Sequence, residues 1–146
     1  MEPAKRFSVH HRPDQPIDGV VRSAIVTARE FGEGARLEPA AAARLAVVVD
    51  ELVGNLLRHG RPGCDVHLDM VLTRGQGERE VLLVLEDDCV PFDPREVAFN
   101  GPDEEDGGGV GLALVRAFAE IAGYERRDGV NRLTLRLRDQ GAKADR

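Results

Sequence analysis

Phe7, Val9 and His11 alternate with Arg6, Ser8 and His10, the two-residue period of a short strand, which the Pro13 to Pro16 stretch closes. A helical period then takes over. Val21, Ala24, Ile25, Ala28 and Phe31 share a face of a helix that Asp18 can cap and that ends near Gly32 and Gly34. A second helix has Pro39 in its first turn and Leu45, Val49, Leu52, Val53 and Leu56 on one face, and Gly60 followed by Pro62 stops it. Val66, Leu68, Met70 and Leu72 alternate with Asp65, His67 and Asp69 as a half-buried strand. After a turn at Arg74 to Glu78, the unbroken apolar run Val81 to Leu85 predicts a central strand covered on both faces.

Glu86 to Asp106 breaks this rhythm with nine acids against one base, Arg95. It predicts a long loop with at most one helical turn, a kind of segment that is usually functional or disordered. Gly107 to Gly111 lead into a helix marked by Leu114, Val115, Phe118 and Ile121. Tyr124 to Arg127, a turn at Asp128-Gly129, and Leu133, Leu135 and Leu137 alternating with arginines predict a hairpin. The tail from Asp139 is polar and expected to fray. Hairpin neighbours and clustered helices predict an α+β fold, with a mixed, mostly antiparallel sheet and helices on one face. One domain would occupy residues 1–138 and a polar tail 139–146.

Composition narrows the function classes. The 42% apolar content excludes a disordered chain, and no window approaches the roughly 18 uninterrupted apolar residues of a membrane span. A formal net charge of −6 argues against a nucleic-acid partner. Cys64 and Cys89 form neither a metal-spaced pair nor a disulfide framework, and Met1 to Asp18 is too polar for a signal peptide, so a cytoplasmic location is expected. His10, His11, His59 and His67 are scattered without a recognisable zinc spacing.

Three places can carry chemistry. On the second helix Glu51 and Asn55 lie about 40° apart, with Arg58 about 20° from Glu51. Asn55 can offer a neutral oxygen to a hard cation and Glu51 can accept a proton, although a solvated helix face shows the same pattern. Asp87 stands at the end of the most apolar strand, where a carboxylate can accept from an exocyclic amine or simply close the strand. Gly107-Gly108-Gly109-Val110-Gly111-Leu112 opens a helix whose free N–H groups suit a phosphate, or serves as a plain linker. It is neither a Walker loop nor a dinucleotide fingerprint.

In this order, Glu51-Leu-Val-Gly-Asn55, Asp87 with Phe92-Asp93-Pro94, and Gly107-Gly-Gly-Val-Gly111-Leu112 resemble the ATP-site boxes of the Bergerat-fold (GHKL) ATPase superfamily. Asp50-Glu51-Leu52 before Arg58-His59-Gly60, and the closing stretch Tyr124 to Arg138, are most similar to the anti-sigma factor serine/threonine kinases, the switch kinases of bacterial partner-switching systems. The resemblance implies a two-layer α/β sandwich that binds ATP and Mg²⁺. By it, Asn55 holds the Mg²⁺, Glu51 is the catalytic base and Asp87 binds the adenine amine. Gly107, Gly109, Gly111 and Leu112 enclose the phosphates under a lid from about Arg95 to Asp106. Arg58 or His59 contacts phosphate and Thr134 the adenine. The implied partners are an anti-sigma antagonist, a sigma factor or other regulatory target, and a second copy of the chain.

Two features depart from that pattern. Cys89 and Pro91 stand where the adenine-side box has glycines, and at Cys89 a positive φ would cost about 1 kcal/mol or more. The acidic run Asp103 to Asp106 adjoins a loop expected to hold a triphosphate. Both leave room for a different class of function, a partner-sequestering module without catalysis.

Overall fold

The computed structural model describes residues 4–75, 79–96 and 108–139. Strand β1 (Ala4–His11) leads into helices α1 (Asp18–Ala35) and α2 (Pro39–His59), then strands β2 (Val66–Arg74) and β3 (Glu80–Asp87). Helix α3 (Gly108–Phe118) precedes the hairpin of β4 (Glu120–Arg127) and β5 (Val130–Arg138). The sheet order is β1-β2-β3-β5-β4, and all four pairings are antiparallel, so the expected mixed sheet is in fact uniform.

Alternation decides what each strand buries. Leu68, Met70 and Leu72 of β2, Val81, Leu83 and Leu85 of β3, and Leu133, Leu135 and Leu137 of β5 all point to one face. Phe31, Leu45, Val48, Val49 and Val53 from α1 and α2 close over them. Helix α2 packs between α1 and α3, giving two layers. Leu82 and Val84 are only half-buried, which corrects the expectation that β3 is covered twice. Around them the open face carries ion pairs instead: Arg6 with Asp69, Arg132 with Glu86, and Arg136 with Glu80. Among the described residues no helix is long and apolar enough to cross a membrane.

Several boundaries differ from the sequence expectation. Asp18 is the first residue of α1 rather than its cap, and adds negative charge at the positive end of the helix dipole. The helix runs past Gly32 and Gly34 to Arg36, whose φ of 59° closes it in the left-handed conformation. Ile121 belongs to β4, opposite Leu135, because the last turn of α3 closes when the Ala119 N–H donates to the Val115 carbonyl at 2.9 Å. Asp139 is anchored rather than frayed. It is 2% exposed, accepts from Arg74 Nη1 at 3.1 Å and from the Glu38 N–H at 3.1 Å, and so pins the end of β5 to the start of α2. The remainder of the tail, 140–146, lies outside the described residues.

The exit from α2 meets the end of β3 through a fitted pair, Gly60 and Cys89. A Cβ at Gly60 would overlap Cys89 Sγ and lie 2.8 Å from Cys89 Cβ and 2.6 Å from the Leu56 carbonyl oxygen. The Cys89 side chain thus occupies the space that Gly60 leaves, and its backbone is not in the positive-φ region, so the strain considered from sequence is absent. Gly60→Ala is expected to cost about 1–3 kcal/mol by overpacking. Urea unfolding should show part of that cost recovered in Gly60→Ala/Cys89→Gly; an equal cost in both backgrounds would contradict the fitted pair.

Candidate active site

A shallow cleft lies between α2 and the helix-covered face of the sheet. Leu52, Asn55 and Leu56 form its helix wall, and Leu85, Asp87, Asn131 and Leu133 form its floor. Phe92 and Tyr124 stand at its side, where the Phe92 N–H donates to the Tyr124 hydroxyl at 3.2 Å. The lining is apolar apart from Asn55, Asp87, Tyr124 and Asn131, the composition of a site that takes a flat, mostly apolar ligand and orients it by a few polar groups.

Asp87 is 6% exposed and receives two hydrogen bonds, both at Oδ1: from the Cys89 N–H at 3.0 Å and from Asn131 Nδ2 at 2.9 Å. Oδ2 takes part in neither, and the Cys89 thiol also acts on the carboxylate. Burial raises the Asp87 pKa above the ordinary carboxylate value, and the hydrogen bonds from Asn131 and Cys89 offset only part of that. Asp88 serves another purpose. Burial opposes its charge, but hydrogen bonds from the His67 N–H at 2.9 Å and from the His67 ring, with Arg61 nearby, hold its pKa below the usual value.

Glu51 approaches α3. A Cβ at Gly111 would land on the Glu51 carboxylate, 3.1 Å from its Cδ, so the bare backbone there leaves the carboxylate room against the first turn of α3. The backbone from Gly108 onward is already helical, which corrects the expected loop through Gly109 and Gly111. Gly107 and residues 97–106, most of the expected lid, lie outside the described residues. Arg95, at the lid's start, is drawn to Asp93 at 2.7 Å within a single 3-10 turn region.

The other sequence candidates do not line the cleft. Thr134 alternates with the buried Leu133 and Leu135 and faces the open side of the sheet, opposite Val84; the register of β5 puts Asn131 and Leu133 where an adenine contact was expected. Leu112 is buried at 7% exposed, Cys89 is sealed under the turn against Gly60, and Pro91 is exposed. Burial also raises the Cys89 thiol to about 12, so it is not reactive at neutral pH. Arg58 and His59 are exposed in the last turn of α2, with the Arg58 guanidinium laid back toward Gly54. Asn131 and Tyr124 line the cleft although the sequence does not single them out, and Arg126 braces Asn131. An asparagine at a core-facing position of an otherwise leucine-lined strand was the available signal.

Because the folded pKa of Asp87 exceeds the unfolded one, the native state binds more protons between those two values. Stability therefore falls as pH rises through that window and stays lower above it. Asp87→Asn is expected to match or exceed the wild-type urea midpoint at neutral pH, with the difference vanishing below about pH 4. A variant less stable at neutral pH than at low pH, relative to wild type, would contradict this sign. Gly111→Ala should displace the Glu51 carboxylate with little change in midpoint, because the far end of a flexible side chain gives way.

Comparison with known proteins agrees with the geometry. Serine/threonine-protein kinase BtrW of Bordetella bronchiseptica is 37% identical over 100 residues, 62% of this chain and 66% of that protein, so the match spans just under two thirds of its length. The Erythrobacter litoralis EL346 blue-light activated histidine kinase shares the fold with a TM-score of 0.57 at 16% identity, over 88% of this chain and 43% of that one. The profile of the histidine kinase-like ATPase domain matches residues 12–137. With its antiparallel sheet, one helical layer and a cleft between them, the chain belongs to the histidine kinase-like ATPase domain family.

Proposed function

We propose that this chain is an ATP-dependent serine/threonine-protein kinase of the anti-sigma type, phosphorylating a small antagonist protein and sequestering a sigma factor or another regulatory target. The observation that carries the reading is the placement of Asn55 and Asp87 in one cleft, with Glu51 on the same helix against the first turn of α3. The likeness to a serine/threonine-protein kinase supports it. β1 is a sheet edge that a second copy can pair with, so the proposal includes a homodimer.

In this reading Asp87 Oδ2 accepts from the exocyclic amine of adenine, while Leu52, Leu85 and Leu133 bury the ring. Asn55 offers its amide oxygen to Mg²⁺, which when bound neutralises phosphate charge. The first-turn amides of α3 receive anionic oxygen. Glu51 takes the proton of the attacking hydroxyl as its oxygen bonds to the γ-phosphorus and the bond to the ADP oxygen breaks.

Glu51→Ala is expected to lower transfer to an antagonist protein by about 100-fold or more while nucleotide affinity stays within a few fold. Labelled-ATP transfer and equilibrium binding read the two separately; equal loss of both would remove Glu51 from the base role. Asn55→Ala should abolish the Mg²⁺-dependent part of binding. The sequestering module is the second reading, favoured by the acids at 103–106 beside the glycine run. No saturable Mg-ATP binding by the wild-type chain would decide for it.

A further inference from the structure

Asn131 occupies a position on β5 that shares its face with Leu133, Leu135 and Leu137, and it is 3% exposed. A buried amide is tolerated only when its groups are paired, and this one is fully engaged. Nδ2 donates to Asp87 Oδ1 at 2.9 Å and to the carbonyls of Cys89 and Val90, each at 3.1 Å. Oδ1 accepts from the Tyr124 hydroxyl at 2.5 Å and from Arg126 Nη1 at 2.9 Å. Arg126 Nη1 also donates to the Cys89 carbonyl at 3.0 Å. One side chain therefore ties the end of β3, the turn after it and the hairpin together, and through Tyr124 reaches Phe92 beside the cleft.

A carboxylate with two equivalent oxygens turns about its last bond unless something holds its plane. Asn131 and the Cys89 N–H both hold Oδ1, and in the nucleotide reading Oδ2 meets the ligand. The same amide steadies the 89–90 carbonyls, where Cys89 and Pro91 replace flexible glycines. We propose that Asn131 is the positioning residue that sets base selectivity in this cleft, by fixing the Asp87 carboxylate so that it accepts from an amino group and rejects a carbonyl at the same place. The inference rests on the nucleotide reading above. A 6-amino purine satisfies Oδ2, whereas a 6-oxo purine sets acceptor against acceptor.

Two measurements on Asn131→Ala in the full chain test it, with Asn131→Asp as a near-isosteric second variant that also lacks the donor. Carboxyl NMR follows Asp87, on which Asp88 and Cys89 also act, while Tyr124 and Arg126 reach it only through Asn131. Loss of the Asn131 hydrogen bond should move its titration midpoint upward, and in Asn131→Asp the added like charge should move it further. Equilibrium binding of Mg-ATP and Mg-GTP should show the preference for ATP shrinking by about tenfold, the scale of one charge-assisted hydrogen bond, while the gain in affinity from adenosine to ATP is retained. A purely structural role would weaken both nucleotides equally and leave their ratio unchanged, which would overturn the proposal. An unmoved Asp87 midpoint overturns it whatever the nucleotide data show. A wild-type chain that binds neither nucleotide refutes the nucleotide reading and the selectivity role with it, while the Asp87 titration still decides whether Asn131 holds the carboxylate.

Discussion

The register of β3 against β5 sets Asp87 opposite Asn131 on the face that the helices cover, and the cleft depends on it. A one-residue slip of β5 against β3 would carry Asn131 to the open face and bring Arg132 into the core. The leucines of β5 prevent that slip, because Leu133, Leu135 and Leu137 would all leave the core together. The same apolar alternation that stabilises the sheet thus holds a buried carboxylate in place. Burial makes the Asp87 charge costly, and the two donors at Oδ1 make it tolerable.

Glycine shapes the site by admitting neighbours. Gly111 lets the Glu51 carboxylate meet the first turn of α3, and Gly60 lets Cys89 fill the space beneath the turn that follows β3. These contacts lie nine positions apart, one on α2 and one just past its end, so one helix sets the distance between them. The substitution at Cys89 is consequently a matter of packing. It adds bulk where its neighbour has none, and the turn it belongs to is held by Asn131 and Arg126.

The two faces of the sheet divide the labour. The covered face holds the core and the cleft, while the open face meets solvent with cross-strand ion pairs such as Arg6 with Asp69, whose carboxylate is kept below its ordinary pKa chiefly by the Arg6 hydrogen bond. Exposed pairs of this kind contribute little to stability but keep an edge-bearing sheet polar. That division explains why Thr134, one residue from the cleft floor in sequence, is on the wrong side of the sheet for an adenine contact.

Much of the architecture is legible in the chain itself. Periods of two and of 3.6 residues locate the strands and helices, and Pro39 and Gly60 bound α2, because local propensity and the need to bury one face act on neighbouring residues. The spacing of Glu51 and Asn55 and the strand-end place of Asp87 are likewise readable, since each depends on one element. The partners of those residues were not. Whether Thr134 or Asn131 meets Asp87 is set by pairing between distant strands, and whether Cys89 is strained is set by Gly60 across the turn. The sequence by itself determined the elements and the chemical types available to the cleft. Tertiary structure alone decided which of them meet, because hydrogen bonds and close packing depend on distances of a few tenths of an ångström between segments far apart in the chain.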